Sequence, residues 1–115
     1  MKYHPELTLE KWRQMPQDKQ ILSVAAEFGR AKSWILKNEE EPAKQALERA
    51  FELMDLTIEL LAEKKASGFL KEFLRFREML AGFYLSSKKD LREFMILFRT
   101  LLAFDPAVYN LGLKI

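Results

Sequence analysis

Five acidic residues recur between Glu41 and Lys64 at steps of 4, 3, 4 and 4: Glu48, Glu52, Asp55, Glu59 and Glu63. On a helix that spacing lays them along one side. Carboxylates in such a row can hold a divalent cation and, through it, a phosphate chain. A cation is wrapped from more than one direction, so a second acidic helix would have to face the first. The chain does not offer one, because Glu72 and Glu78 have a different spacing and Glu27 stands alone. Metal-dependent hydrolysis through the 41–64 carboxylates, with Glu52 and Asp55 at its centre, is therefore the third reading of function. Histidine chemistry is no better supplied. A serine–histidine–acid triad needs an imidazole beside a hydroxyl, but the sole histidine, His4, precedes Pro5 near the first residue and is expected to be solvated. No Glu-x-x-His pair of the di-iron kind occurs. No catalytic residue, cofactor or metal ligand is assigned.

Basic residues form the second candidate. Lys71, Arg75, Lys88, Lys89, Arg92 and Arg99, joined by Arg77 and by Tyr84 as a stacking ring, could follow a phosphate backbone. Glu72, Glu78 and Glu93 are interleaved with them and dilute the field. This nucleic-acid or nucleotide-related face over residues 71–99 is the alternative reading.

Two resemblances bear on these candidates. The Glu48…Glu52-x-x-Asp55 piece is similar to half of the site of magnesium-dependent all-α nucleotide pyrophosphatases, and the second half is missing. In architecture alone the chain resembles the helical bundles of prokaryotic toxin systems that cleave RNA. Those carry an arginine followed within a few residues by a histidine on a late helix, and here no histidine follows His4.

The elements that position these residues are helices. Ala43, Leu47, Ala50, Met54, Thr57 and Leu61 step by 4, 3, 4, 3 and 4, which predicts a long helix over 41–64 with a dry seam along which the other helices pack. Thr8 predicts the N-cap of a short helix through Leu9, Trp12 and Met15, ended by Pro16 at the first position of the next helix. The second helix, from about Gln17 to Lys37, has an inner stripe of Ile21, Ala25, Phe28, Ala31 or Lys32, and Ile35. Its smooth flank of Ala25, Ala26, Gly29 and Ser33 is expected to admit a close neighbour. Asn38 to Pro42 stops that helix and starts the central one, and Ser67-Gly68 turns the chain after it.

Phe69, Phe73, Phe76, Leu80 and Phe83 make the next seam, broadened by Leu70, Leu74 and Met79. Ser87 and Asp90 then read as a capping pair before a last helix with Leu91, Phe94, Met95, Phe98, Leu101 and Leu102 inside. Seven of the nine phenylalanines fall between 69 and 104, so these two helices are expected to lay one aromatic layer against the central helix. From Tyr109 on, apolar and polar residues alternate, which predicts an extended tail.

The totals agree with a single helical domain. At 115 residues the chain can bury about two thirds of its unfolded surface without cross-links. With 49% apolar and 31% charged residues it is neither disordered nor low in complexity. It has no cysteine, which excludes disulfides, thiolate zinc sites and cysteine nucleophiles. The net charge of +2 hides an asymmetry: residues 1–63 carry 9 bases against 12 acids and residues 64–115 carry 10 against 5, so the central helix's acidic face is expected to pair with later basic residues. Residues 1–6 have no secretory apolar run, and runs such as 101–104 are far below the about 20 residues of a membrane span. A cytoplasmic protein with no membrane segment is expected.

The sequence thus predicts an all-α, four-helix up-and-down bundle (17–104) with a short N-terminal helix (within 1–16) and an extended C-terminal tail (105–115). Its expected role is that of a non-catalytic interaction or assembly module, self-associating as a homodimer or holding a protein partner. The expected contacts are exposed parts of the phenylalanine layer, Trp12, Trp34, Tyr109, Leu111, Leu113 and Ile115, because the chain holds more large apolar residues than one thin bundle hides.

Overall fold

The 4-3-4-3-4 seam of the central stretch is the buried side of a helix. The computed structural model describes residues 2–65 and 67–112. It contains α1 (Leu9–Gln14), α2 (Gln17–Leu36), α3 (Glu40–Glu63), α4 (Ser67–Leu85), α5 (Leu91–Leu102) and α6 (Pro106–Gly112). No strand occurs among the described residues, and the fold is all-α. All six seam residues of α3, from Ala43 to Leu61, are buried. At 24 residues α3 is about 36 Å long. It packs on α1, α2 and α4, whereas α5 lies on α2 and α4, so the helices do not all line the central one as expected.

Local chemistry sets the breaks. Thr8 caps α1 as predicted, its Oγ1 accepting from Lys11 N at 3.1 Å. Pro16 is the N-cap of α2, one position earlier than expected, with extended backbone that only a break allows. Gln20, buried on the first turn of α2, donates from Nε2 to Trp12 O (2.9 Å) and Met15 O (3.1 Å) and so satisfies the open end of α1. α2 ends in a Schellman motif. Asn38 takes the left-handed conformation (φ 55°), its N–H donating to Ile35 O at 3.0 Å while Glu39 N–H donates to Trp34 O at 2.9 Å. After α3 the left-handed residue is Lys65 (φ 54°), not glycine; Gly68 lies inside the first turn of α4. Asp90 itself caps α5, accepting from Arg92 N and Glu93 N, so the expected Ser87–Asp90 pair is corrected to a single aspartate N-cap.

The aromatic layer closes on α2 more than on α3. Phe28, fully buried, lies 6.1 Å from Phe76, 5.4 Å from Phe94 and 5.5 Å from Phe98 between ring centres. Phe69, Phe73 and Phe104 extend the cluster along α4, and Phe83 joins it through Phe94. Offset and edge-on pairs at these separations add to the burial of apolar area.

Three expectations are corrected. The small flank of α2 is no close seam: Ala26 and Ser33 are exposed, and a Cβ built on Gly29 would meet nothing within 4 Å. Leu74 and Met79 do not broaden the core stripe of α4, being 41% and 50% exposed. The tail is helical over Pro106–Gly112. There Asp105 Oδ1 accepts from Ala107 N (3.0 Å) and Val108 N (3.4 Å), Pro106 starts the turn, and buried Val108 anchors α6, which packs on α5 and α2. Capping and one buried side chain outweigh the alternating pattern. Leu113 and Ile115 lie outside the described residues.

Candidate functional site

The acidic residues of α3 are held by different sets of donors, with Tyr3 shared between Glu48 and Glu52. Glu48 and Glu52 are one turn apart, a like-charge spacing that is unfavourable unless donors intervene. The donors come from residues 2–7, which cross α3 as a strap. Tyr3 N–H lies 3.0 and 3.1 Å from the two carboxylate oxygens of Glu52, and His4 Nδ1 is 2.7 Å from Glu52 Oε2. The Tyr3 hydroxyl donates to Glu48 Oε1, and from α4 the Tyr84 hydroxyl donates to Glu48 Oε2 at 2.6 Å. The Arg49 guanidinium stands 5.7 Å over the Tyr3 ring. The strap turns at Leu7 N–H, which donates to His4 O at 3.0 Å, and Lys11 Nζ donates to Glu6 O at 2.9 Å.

Titration follows from these contacts. The hydroxyls of Tyr3 and Tyr84 hold Glu48 below the usual carboxylate range, against its partial burial. Burial pushes Glu52 up, but the Tyr3 N–H and His4 outweigh it and leave Glu52 low as well. The hydrogen bond to Glu48, helped by burial, pushes Tyr84 up to about 12, and Tyr3 is raised for the same reasons.

Beside the strap, His4, Leu7, Trp12, Met15, Leu53, Ala26 and Glu27 line a cleft of about 310 Å³ between the strap, α1, α2 and α3, with Arg30 and Ser23 at its margin. Glu27 has a side chain only 4% exposed and is held by Arg30 of its own helix and by Arg49 Nε of α3 at 2.8 Å. A buried carboxylate persists when it is paired in this way.

The arrangement binds and clamps more readily than it reacts. Glu52 engages His4 Nδ1 as an orienting carboxylate would, but both nearby tyrosine hydroxyls are committed to Glu48, and Ser23 Oγ donates to Lys19 O at 2.9 Å. Asp55 is paired with Arg77 Nε at 2.7 Å and Glu63 with Arg13 Nη2 at 2.6 Å. Among the described residues no three His, Asp or Glu converge as a metal requires. The expected pairing of α3 acids with later bases holds at Asp55–Arg77, whereas Glu48 and Glu52 are satisfied by tyrosines and the strap.

The residues expected to bind a partner are dispersed. Trp12 is 1% exposed and donates from Nε1 to Thr57 Oγ1 at 2.9 Å, so it is a core residue and not a contact surface. Trp34 is half-buried under Lys37 Nζ, 5.1 Å from its ring. Tyr109 is exposed on α6; the side chain of Leu111 lies outside what is described. Of the basic set, Lys71, Arg75, Lys88, Arg92 and Arg99 are exposed on α4, on α5 and in the loop between them, with Arg75 Nη1 3.4 Å from Glu72. Lys89 is not free for phosphate: half-buried, it donates from Nζ to Tyr84 O (2.9 Å) and Ser86 O at the end of α4, and burial lowers its pKa.

Two features depend on packing that the sequence alone does not specify. His4, expected in solvent, is one jaw of the strap, and no spacing rule links residues 3–4 to 48–52. The second is on α4, where Leu74 and Leu85 lie outside the buried seam of Phe73, Phe76, Leu80 and Phe83, on a line that half-buried Ala81 and Leu70, itself packed against the core, continue at steps of 4, 7 and 4. Leu74 and Leu85 are 41% and 79% exposed. Its spacing was legible, but only packing showed which α4 stripe is covered. No helix among the described residues is long and apolar enough to cross a membrane. Comparison with protein-family models, with curated proteins and with solved structures gives no match.

Proposed function

We propose that the chain is a non-catalytic helical assembly module that pairs with a second copy of itself through the outer stripe of α4. The observation that carries this is the stripe Leu70, Leu74, Ala81 and Leu85, which none of the described elements covers at Leu74 and Leu85. A helix apolar on two sides is built to be covered on both. The stripe is symmetric about the midpoint between Arg77 and Glu78. An antiparallel pairing on a two-fold axis there sets Leu70 against the partner's Leu85, Leu74 against the partner's Ala81, and brings Glu78 beside the partner's Arg77, which each copy also holds on its own Asp55. Large meets large, the centre meets a smaller residue, and opposite charges meet at the axis, as an isologous contact needs.

Native mass spectrometry and sedimentation equilibrium test this. The expected result is a dimer, converted to a folded monomer by Leu74→Glu and weakened by Glu78→Arg, which would face Arg77 with a like charge. A wild-type monomer at its highest soluble concentration, or a dimer indifferent to both changes, refutes the proposal. The nucleic-acid reading is weaker, since Lys89 is a cap, Arg75 has a carboxylate neighbour and acids are interleaved throughout. Steeply salt-dependent binding to an oligonucleotide would restore it.

A further inference from the structure

We propose that residues 2–7 are an acid-released strap, clamped on α3 by Glu48 and Glu52, whose release opens the cleft beside Trp12. His4 and Leu7 are the strap's contribution to the cleft wall, opposite Met15, Ala26 and Leu53. When the strap lifts, that wall is lost and an apolar groove is uncovered.

The hold is concentrated in few contacts. Among the described residues, the hydrogen bonds that anchor Tyr3 and His4 on α3 go to the two carboxylates, from the Tyr3 N–H, the Tyr3 hydroxyl and His4 Nδ1, with Arg49 over the Tyr3 ring. These are charge-assisted bonds and lose their strength once the acceptor is protonated. The charged and titratable groups facing the clamp are Lys2, Tyr3 and His4 from the strap, Lys44 and Arg49 from α3, Tyr84 from α4, and Glu27 with Arg30 from α2 across the cleft. None of these replaces a lost carboxylate, because lysine and arginine have no acceptor, the Tyr84 hydroxyl is bonded to Glu48, and Glu27 is held by Arg30 and Arg49. Glu48 and Glu52 both sit below the ordinary glutamate value of 4.5. Their contribution is therefore fully present above that value and disappears as the pH falls through their lowered ones.

The test is an acid titration of ¹⁵N-labelled protein, following the Tyr3 amide against the Trp12 indole N–H, which reports on the core through Thr57. The Tyr3 amide is expected to lose its hydrogen-bonded shift at acidic pH while the Trp12 indole signal and the helical circular dichroism stay native. Glu52→Gln is expected to free it already at neutral pH. Each charge-assisted bond lost corresponds to a change of about tenfold or more in the opening equilibrium, read as amide exchange. Tyr3→Phe, which leaves α3 untouched, gives an independent check and should speed exchange at Leu7 N–H. The proposal is overturned if the Tyr3 amide changes only together with the Trp12 indole, or if both variants leave strap exchange as it is in the wild type.

Discussion

Replacing Thr57 by valine tests the assignment of Trp12 to the core. Thr57 is 4% exposed and Trp12 1%, and the indole N–H has Thr57 Oγ1 as its acceptor at 2.9 Å. Valine keeps the shape of threonine and removes only that acceptor. The hydroxyl's own bond to Leu53 O, 3.1 Å, is a small loss, because that carbonyl already belongs to the helical ladder. The indole N–H, by contrast, is left buried without a partner, which costs about 1–3 kcal/mol. With an unfolding entropy of about 2.1 cal/mol/K per residue, a chain of this length loses about 4 °C of Tm per kcal/mol, so the drop should be about 4–12 °C. Thermal and urea denaturation followed by circular dichroism measure it. In a Trp12→Phe background no donor remains to be stranded, and Thr57→Val should then cost less than about 0.5 kcal/mol. Equal costs in the two backgrounds would show that the indole does not depend on Thr57.

Two further predictions follow from the polar contacts. Arg49→Met leaves Glu27, with its side chain 4% exposed, to Arg30 alone and should destabilise by about 2–3 kcal/mol in urea titration; Glu27→Met releases two arginines that reach water and should stay within about 1 kcal/mol. The reverse order would mean that Glu27 is not the desolvated partner. Because the folded pKa of Tyr84 is raised to about 12, its bond to Glu48 stabilises fully below the ordinary tyrosine value of 10 and is lost as the pH rises through about 12. Tyr84→Phe should therefore remove one late-titrating tyrosine from the alkaline absorbance curve and lower stability near neutral pH by about 1–2 kcal/mol, with the deficit vanishing at strongly alkaline pH. An unchanged alkaline curve would break the link to Glu48.

The helices themselves were determined by the sequence, because their causes are local. The seam from Ala43 to Leu61, the inner stripe of α2, the Thr8 cap and the stop at Asn38 each depend on residues within a few positions of one another, and the structure uses all of them. After Asp105-Pro106 the alternating residues predict an extended tail, whereas the aspartate cap and buried Val108 make a helix of them. Tertiary structure alone decided the partners. Phe28 gathers Phe76, Phe94 and Phe98 from two later helices, and no periodicity in either says which neighbour it meets. Trp12 is drawn inside because Thr57, 45 positions away, accepts its indole N–H. Glu48 and Glu52 read as a solvated or metal-binding row until Tyr3, His4 and Tyr84 are brought to them. Of the two apolar stripes of α4, the one left open was settled by where α3 and α5 pack. Helix formation is a property of neighbours along the chain, whereas burial and the pairing of charges depend on which distant surfaces packing brings together.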